Sequence, residues 1–206
     1  MRILVACEES QAVTIELRRL GHEAYSCDIQ ECSDGHPEWH LRCDALELLK
    51  MRWDMLIAFP PCTYMTNAGA VRMRVKGVIQ EERYQKAMAA KAFFMAFYNA
   101  DVPRIAIENP TPMKLIGLPK YSQVIQPYEH GHAYSKRTCL WLKGLPPLLP
   151  TELVADHEPW VNGGCRDEHG RYRRFTGRNE RDAKMRSKTF PGIARAMAEQ
   201  WAGRMI

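Results

Sequence analysis

Apolar positions along the first part of the chain fall into two alternating patterns. Short apolar runs, which are typical of buried strands, occur at 2–6, 23–27, 54–58, 104–107, 124–126 and 138–142. Between them, apolar residues recur with helical spacing, at 11–20, 45–50 and most clearly at 81–99. The repeated strand–helix–strand order predicts an α/β fold, in which a parallel sheet is covered by helices.

The regular pattern ends near residue 144 and returns only at the end of the chain. A proline-rich stretch at 144–150 is followed by residues 151–187, which show little periodicity, and an amphipathic helix is predicted at 190–204. We therefore expect a core formed by residues 1–149, a small basic variable region at 150–186 and a C-terminal helix at 187–206 that returns to the core.

Bulk composition is ordinary for a globular protein, at 46% hydrophobic and 26% charged residues. No apolar run approaches the roughly 20 residues of a membrane span, and the opening residues are typical of a strand rather than a signal peptide. Seven cysteines without a disulfide-framework spacing favour a reducing cytoplasm. We expect a cytoplasmic protein with no membrane association that is a monomer or weak dimer.

Two short motifs each follow a predicted strand directly. Phe59-Pro60-Pro61-Cys62-Thr63 follows the third strand and Glu108-Asn109-Pro110 follows the next, so that Cys62 and Glu108 are 46 residues apart. One loop, one long helix and one strand separate them, and such a unit often leaves its two strands adjacent. Cys62 and Glu108 are therefore expected at the same edge of the sheet. Alone, each has an ordinary interpretation, as a buried inert cysteine and as a helix cap or surface carboxylate.

A thiol beside a carboxylic acid suits methylation at carbon 5 of cytosine. That carbon becomes nucleophilic only after a thiolate adds to carbon 6, and the addition is easier when an acid protonates ring nitrogen 3. Cys62 is the candidate nucleophile. Glu108 is the candidate acid, because an apolar setting raises the pKa of a carboxyl group.

These motifs resemble those of the cytosine-5 DNA methyltransferases, and most closely the compact members encoded by phages and prophages. The nucleophile of that family lies in a Pro-Cys motif like 60–62 and its acid in a Glu-Asn motif like 108–110. A basic strand that binds the target base resembles 136–141, with Arg137 as the matching catalytic residue, and a closing cofactor motif resembles 188–196. The resemblance implies a Rossmann-like S-adenosylmethionine methyltransferase fold, mostly parallel, with an antiparallel edge strand near 138–142, in a bacterial host cell.

The resemblance also implies a binding site for S-adenosylmethionine. Asp28 is placed to bind the ribose hydroxyls and Asp44 the adenine amino group, although a turn or helix-cap role is the ordinary one for either aspartate. The first loop lacks the glycines of the family, and Glu8 or Glu9 could cap the first helix or hold the ammonium group of the cofactor. The full set of expected cofactor contacts is Ala6, Cys7, Glu8, Glu9, Ser10, Asp28, Ile29, Asp44, Ala45, Pro60 and Thr189.

A basic segment points to a nucleic-acid partner. Residues 170–188 contain eight basic and two acidic residues, which is more local charge than the net +5 of the whole chain. A solvated mobile loop is the ordinary interpretation of such a run. The expected partner is DNA, single-stranded or recognised with weak sequence specificity, because no large target-reading region is present. The expected contacts are Asn67, Lys136, Arg171, Arg173, Arg174 and Arg178, and the loop 63–78, with Gly69 and Gly77 as hinges, is expected to close over the base.

Two alternatives to a DNA methyltransferase stay open at this stage. The same catalytic pair could act on RNA or on a free cytosine nucleotide. Alternatively, the chain could be a catalytically silent nucleic-acid-binding relative, which the missing glycine turn favours and the presence of both Cys62 and Glu108 disfavours.

Clusters of cysteine and histidine raise the question of a metal site. One set lies within 17 residues and comprises Cys27, Cys32, His36, His40 and Cys43. A second set comprises His157, Cys165 and His169. Neither contains the closely spaced cysteine pairs of structural zinc sites. We therefore expect no metal.

Overall fold

A seven-stranded sheet lies at the centre of the computed structural model, which describes residues 1–33, 35–160, 164–166, 172–174 and 187–205. For 164–166 and 172–174 only the backbone is described. The strands lie in the order β3-β2-β1-β4-β7-β10-β8. Their bounds are β1 Arg2–Ala6, β2 Glu23–Asp28, β3 His40–Arg42, β4 Met55–Ala58, β7 Ile105–Pro110, β8 Gln123–Ile125 and β10 Thr138–Lys143.

The middle of this sheet is built from the apolar runs that predicted its strands. Every residue of 3–6 and of 55–58 is fully buried, because β1 and β4 have a strand on each side and helices on both faces. Parallel strands covered on both faces require such continuous apolar segments. The predicted parallel α/β fold is confirmed for this part of the chain.

Helices cover the two faces of the sheet. On one face, α1 (Ala12–Arg19) and the C-terminal α5 (Pro191–Met197) bury Val13, Leu17 and Ile193 against β1 and β4. On the other face, α2 (Ala45–Leu48) and α4 (Glu81–Tyr98) pack on the sheet, and Phe94 of α4 contacts Trp141 of β10 edge to face. A π-helix at Ala198–Ala202 continues α5, so the helix predicted at 190–204 is present but is not α-helical throughout.

Two predictions about the later strands were wrong in detail. β10 is antiparallel as expected, but it lies between β7 and β8, and β8 forms the edge of the sheet. The strand predicted at 104–107 was expected to end before Glu108-Asn109-Pro110, yet β7 continues to Pro110, which pairs with Thr138. A proline at the last position of a strand costs little, because few ladder hydrogen bonds remain to be lost there.

Segments expected to be loops contain short elements. Residues 29–43 include a 3-10 turn at Pro37–Trp39 and strand β3. Residues 63–78 include a 3-10 turn at Asn67–Gly69, helix α3 (Ala70–Met73) and a hairpin of β5 (Arg74–Val75) and β6 (Val78–Ile79). Lys76 and Gly77 both have positive φ, which is the requirement of a tight two-residue hairpin turn.

Further short pairings complete the fold. β9 (Tyr134–Ser135) pairs with β11 (Glu158–Pro159), which holds the start of the variable region against the core. β12 (Gly164–Arg166) pairs with β13 (Tyr172–Arg174). In the described part of the chain, none of the helices has both the length and the apolar character to cross a bilayer.

Candidate active site

The two candidate catalytic motifs lie at the carboxyl ends of neighbouring strands, at the same edge of the sheet. β4 and β7 are parallel, and Ala58 at the end of β4 pairs with Ile107. Glu108 is the next residue of β7, and Cys62 lies four positions beyond Ala58. The predicted adjacency of β4, the strand before Cys62, and β7, the strand that contains Glu108, is confirmed.

Hydrogen bonds join the two motif segments over several residues. The side-chain Nδ2 of Asn109 donates to the carbonyl oxygen of Pro60 at 2.8 Å, in the buried interior. Further along, the Asn67 amide donates to the Thr111 carbonyl at 3.0 Å and the Met113 amide to the Met65 carbonyl at 2.7 Å. The segment that begins at Pro60 is therefore held along the segment that begins at Asn109.

Cys62 begins a turn that fixes its backbone. Its carbonyl oxygen accepts hydrogen bonds from the amides of Met65, at 3.0 Å, and Thr66, at 3.2 Å. Pro60 before it is buried, whereas the side chain of Cys62 is partly exposed. A buried proline and a closed turn thus present a partly accessible thiol from a restrained backbone.

Glu108 lines a pocket in which the pKa of its carboxyl group is raised. Burial raises the pKa of Glu108 above its ordinary value, while the charge of Lys136 and a hydrogen bond from Thr138 act in the opposite direction. Burial is the larger effect, so the carboxyl group keeps its proton to higher pH than an exposed glutamate does. The other residues of the pocket are Lys136, Thr138, Thr189, Phe190, Ile193 and Met197.

The two basic residues before β10 have different surroundings. Lys136, expected to contact nucleic acid, lines the pocket with Glu108. Arg137, expected to be catalytic, is exposed and donates to the Thr111 hydroxyl at 3.2 Å and the Tyr121 hydroxyl at 3.1 Å. Arg137 therefore borders the segment after Asn109, and Lys136 is the cation whose charge acts on Glu108.

Arg83 is a site residue that the sequence did not indicate. From the first turn of α4 it donates to the carbonyl oxygen of Thr63 at 3.3 Å, and its guanidinium lies 5.1 Å from the ring centre of Tyr64. A Cβ on Gly69 would approach Arg83 Nη2 to 2.9 Å, so the glycine provides space for the guanidinium. The helical pattern at 81–99 gives no sign of this contact, because it depends on the loop after Cys62 returning to the first turn of α4.

The loop between β1 and α1 makes its sharp turns without glycine. Cys7 and Gln11 both adopt left-handed backbone conformations, with φ of 60° and 54°. The carboxylate of Glu8 is buried and accepts the Val13 amide at 2.6 Å and the Thr14 hydroxyl at 2.7 Å. Of the two roles considered for Glu8, the structure therefore shows helix capping.

Gln11 links this loop to the neighbouring one. Its buried side-chain amide donates to the carbonyl oxygen of His36 at 2.9 Å and to the hydroxyl of Ser26 at 3.2 Å. Its side-chain oxygen accepts the His36 amide at 3.2 Å. These bonds offset the cost of a left-handed conformation at a residue with a side chain, which is about 1–2 kcal/mol.

Three of the expected cofactor residues converge at the carboxyl edge of β1 and β2. The pKa of Cys7 is raised to about 12 by burial and by the nearby charges of Asp28 and Asp44. Each aspartate also fills the ordinary role considered for it, since Asp28 accepts the Gln30 amide and Asp44 caps α2 through the Leu46 amide. Ile29, next to Asp28, has a side chain that is 74% exposed.

The other residues expected to bind the cofactor or the nucleic acid lie in several parts of the fold. Ala6, Ser10 and Ala45 are buried near this edge, and the carbonyl of Glu9 accepts the Ser33 amide at 2.9 Å. Thr189 lines the Glu108 pocket. Asn67 is exposed on the loop after Cys62. Arg171 and Arg178 lie outside the described residues, and the side chains of Arg173 and Arg174, in β13, are not described.

The described histidines of the two cysteine–histidine clusters contact residues outside those clusters or stack on aromatic rings. His36 stacks on Trp39 with ring centres 3.9 Å apart, and His40 is hydrogen-bonded to the Ser26 hydroxyl at 2.8 Å. His157 stacks on Tyr128, while Cys165 has only its backbone described and His169 lies outside the described residues. Across the part of the chain that the structure describes, no group of three or more possible ligands could hold a metal ion.

Comparison with known proteins gives a limited result. No family model matches the chain, and no curated protein matches it. Among solved structures, it is similar to a protein from E. coli described as a candidate DNA modification methyltransferase encoded within a prophage, with 14% identity and a TM-score of 0.45. The match covers 74% of this chain and 51% of that one, so the chain spans about half the length of that protein.

Proposed function

We propose that the chain is an S-adenosylmethionine-dependent methyltransferase that modifies carbon 5 of cytosine in DNA. The observation that supports this most is the joining of the two motif segments through the Asn109–Pro60 hydrogen bond, at the edge where Glu108 has a raised pKa. Thiol and acid are the two groups that this reaction requires, and both are carried by segments that are fixed relative to each other.

In the proposed reaction, the thiolate of Cys62 adds to carbon 6 of the base and Glu108 donates its proton to nitrogen 3. Carbon 5 thereby gains the electron density it needs to accept a methyl group. Transfer of the carbon 5 proton to water then expels the thiolate, and nitrogen 3 returns its proton to Glu108, which restores the ring and the acid. Lys136 is proposed to contact the nucleic acid beside Glu108, and Arg137 to hold the target base from the Thr111 side.

The residues at the edge of β1 and β2 fit S-adenosylmethionine, which when bound would supply the methyl group. The pKa of Cys7 is raised by burial and further by the charges of Asp28 and Asp44, which therefore lie close to it. These two carboxylates suit ribose hydroxyls and an exocyclic amine. The exposed side chain of Ile29 offers an apolar surface for an adenine ring. Because Glu8 caps α1, Glu9 is the better candidate of the two for the ammonium group.

A polyanionic substrate is supported by charge near the catalytic loop. Arg72, Arg74 and Lys76 are all exposed on α3 and the β5–β6 hairpin, which follow the Cys62 turn. Val75 and Val78 are exposed on the same hairpin. Cations beside exposed apolar side chains suit contacts to phosphates and to the bases or sugars between them.

The decisive experiment is covalent trapping with DNA that contains 5-fluorocytosine. Fluorine cannot leave carbon 5 as a proton does, so the thioether adduct should persist after methyl transfer and be seen by denaturing electrophoresis. We expect an adduct that requires S-adenosylmethionine, is absent in Cys62→Ser and is retained in the control Cys32→Ser. An adduct that survived Cys62→Ser would refute the assigned nucleophile.

Duplex DNA, single-stranded DNA and RNA should be compared in the same assay. Trapping on DNA supports the proposal, and exclusive trapping on RNA would reassign the substrate while leaving the chemistry intact. If no polymer were trapped, and calorimetry detected no binding of S-adenosylmethionine, the enzyme proposal would be refuted.

A further inference from the structure

The dipeptide Cys-Asp occurs twice in the chain, and the fold brings its two copies together. Cys27-Asp28 ends β2, and Cys43-Asp44 connects β3 to α2. The sulfur atoms of Cys27 and Cys43 are 3.8 Å apart. The two aspartates that follow these cysteines are the ones whose charges act on Cys7.

The two thiols differ in mobility and access. Cys27 is fully buried in β2, which is paired on one side with β1 and on the other with β3. Cys43 is partly exposed, and it follows the edge strand β3 where the chain turns, its amide bonded to the Leu41 carbonyl at 3.1 Å. An oxidant from solvent therefore reaches Cys43 first.

A disulfide between these residues requires a small displacement. The sulfur atoms would have to approach by about 1.8 Å to reach the bonding distance of about 2.05 Å. Because Cys27 is held by strands on both sides, the movement must occur mainly at Cys43. Asp44 is the next residue and caps α2 through the Leu46 amide, so the displacement is passed directly to that carboxylate.

We propose that Cys27 and Cys43 are a reversible oxidation site whose disulfide lowers the affinity of the Asp28–Asp44 site for its ligand. The link to S-adenosylmethionine rests on the proposed function. The disulfide itself does not depend on it.

The chemistry requires a hydroperoxide as oxidant. The thiol of Cys43 is oxidised to a sulfenic acid, and the peroxide is reduced to water or an alcohol. Cys27 then loses its proton and its thiolate attacks that sulfur, the S–S bond forms, and the sulfenic oxygen leaves as water with the proton that Cys27 released. Burial raises the pKa of Cys27, and the nearby charge of Cys43 adds to this effect, so Cys27 stays protonated and does not compete with Cys43 for the peroxide. An external dithiol reverses the reaction.

The test begins with chemical mapping in the full chain. The protein is treated with hydrogen peroxide, remaining thiols are alkylated, and trypsin releases peptides 20–42 and 43–50. Peptide 20–42 contains both Cys27 and Cys32, so the mapping uses the Cys32→Ser variant, in which Cys27 is its only cysteine. We expect a disulfide-linked species that joins peptide 20–42 to peptide 43–50 and that disappears on treatment with dithiothreitol.

Binding of S-adenosylmethionine is measured by calorimetry on the reduced, oxidised and re-reduced protein. We expect oxidation to weaken binding at least tenfold, reduction to restore it, and Cys43→Ser to abolish the sensitivity while Cys32→Ser keeps it. A linkage of Cys43 to Cys7, or oxidation of Cys43 without any linkage, would overturn the proposed pair. Formation of the Cys27–Cys43 disulfide with unchanged affinity would overturn its effect on the site. If the reduced protein bound no S-adenosylmethionine, the proposed cofactor would fail, and the mapping would still decide the disulfide.

Discussion

Replacing Asn109 with alanine tests whether the two motif segments act as one unit. Asn109 is 1% exposed, and its Nδ2 is the donor to the Pro60 carbonyl at 2.8 Å. Its Oδ1 is buried with no hydrogen-bond partner among the described residues, so the amide nitrogen is the atom that the structure uses. Alanine would leave the Pro60 carbonyl buried without this donor.

The cost of leaving a buried acceptor unsatisfied is about 1–3 kcal/mol. If that energy holds the Cys62 turn in its reactive position, the rate of adduct formation on 5-fluorocytosine DNA should fall about 5- to 150-fold. The free energy of unfolding in urea should fall by the same 1–3 kcal/mol or less. Asn99→Ala, at an exposed position, is the control and should change stability by no more than about 0.5 kcal/mol. A variant that trapped DNA at the wild-type rate with unchanged stability would show that the bond does not position the nucleophile.

Three further outcomes are expected. The raised pKa of Glu108 means that its protonation stabilises the fold at low pH and that this stabilisation is lost as pH rises through the folded-state pKa. Over that rise in pH, the free energy of unfolding of Glu108→Gln should therefore fall less than that of the wild type. The trapping rate of this variant should be about 100-fold lower. An equal pH dependence of stability in the two proteins would contradict a buried acid at this position. Gly192→Ala should cost about 1–3 kcal/mol in a urea titration, because a Cβ there would overlap the His130 carbonyl oxygen, and a neutral result would disprove the close approach. Gln11→Gly and Gln11→Ala lose the same side-chain hydrogen bonds, but only the alanine variant retains the cost of a positive φ. The glycine variant should therefore be more stable than the alanine variant by about 1 kcal/mol. Equal stabilities would argue against strain at this position.

Elements with continuous apolar or helical patterns were predictable from the sequence. The strands β1 and β4 and the helix α4 lie where the pattern put them, because burial on both faces of a strand, or along one face of a helix, demands a regular arrangement of apolar residues. The adjacency of β4, which precedes Cys62, and β7, which contains Glu108, was also predictable, since it needed only the connection of one strand–helix–strand unit.

What could not be predicted depends on contacts between distant residues. β3 is three residues long and forms only by pairing with β2, so no local pattern marks it. The position of β10 inside the sheet is decided by β8, which is added at its other side. Likewise, Gln11 adopts a left-handed conformation without being glycine because its side chain is bonded to the loop around His36, and no local pattern indicates that contact.

The two motifs also have a genetic consequence. Both strands, the Cys62 turn, the helix between them and the segment joined to that turn lie within one uninterrupted stretch, residues 55–113. A recombination event with breakpoints outside this stretch would therefore transfer the proposed reactive pair together with the hydrogen bonds that join its two motif segments, whereas the other residues of the Glu108 pocket would come from the recipient. A crossover inside α4 would combine the Cys62 turn of one parent protein with the Asn109 segment of another. Chimaeras joined at these two kinds of position should accordingly differ in trapping activity even when both fold.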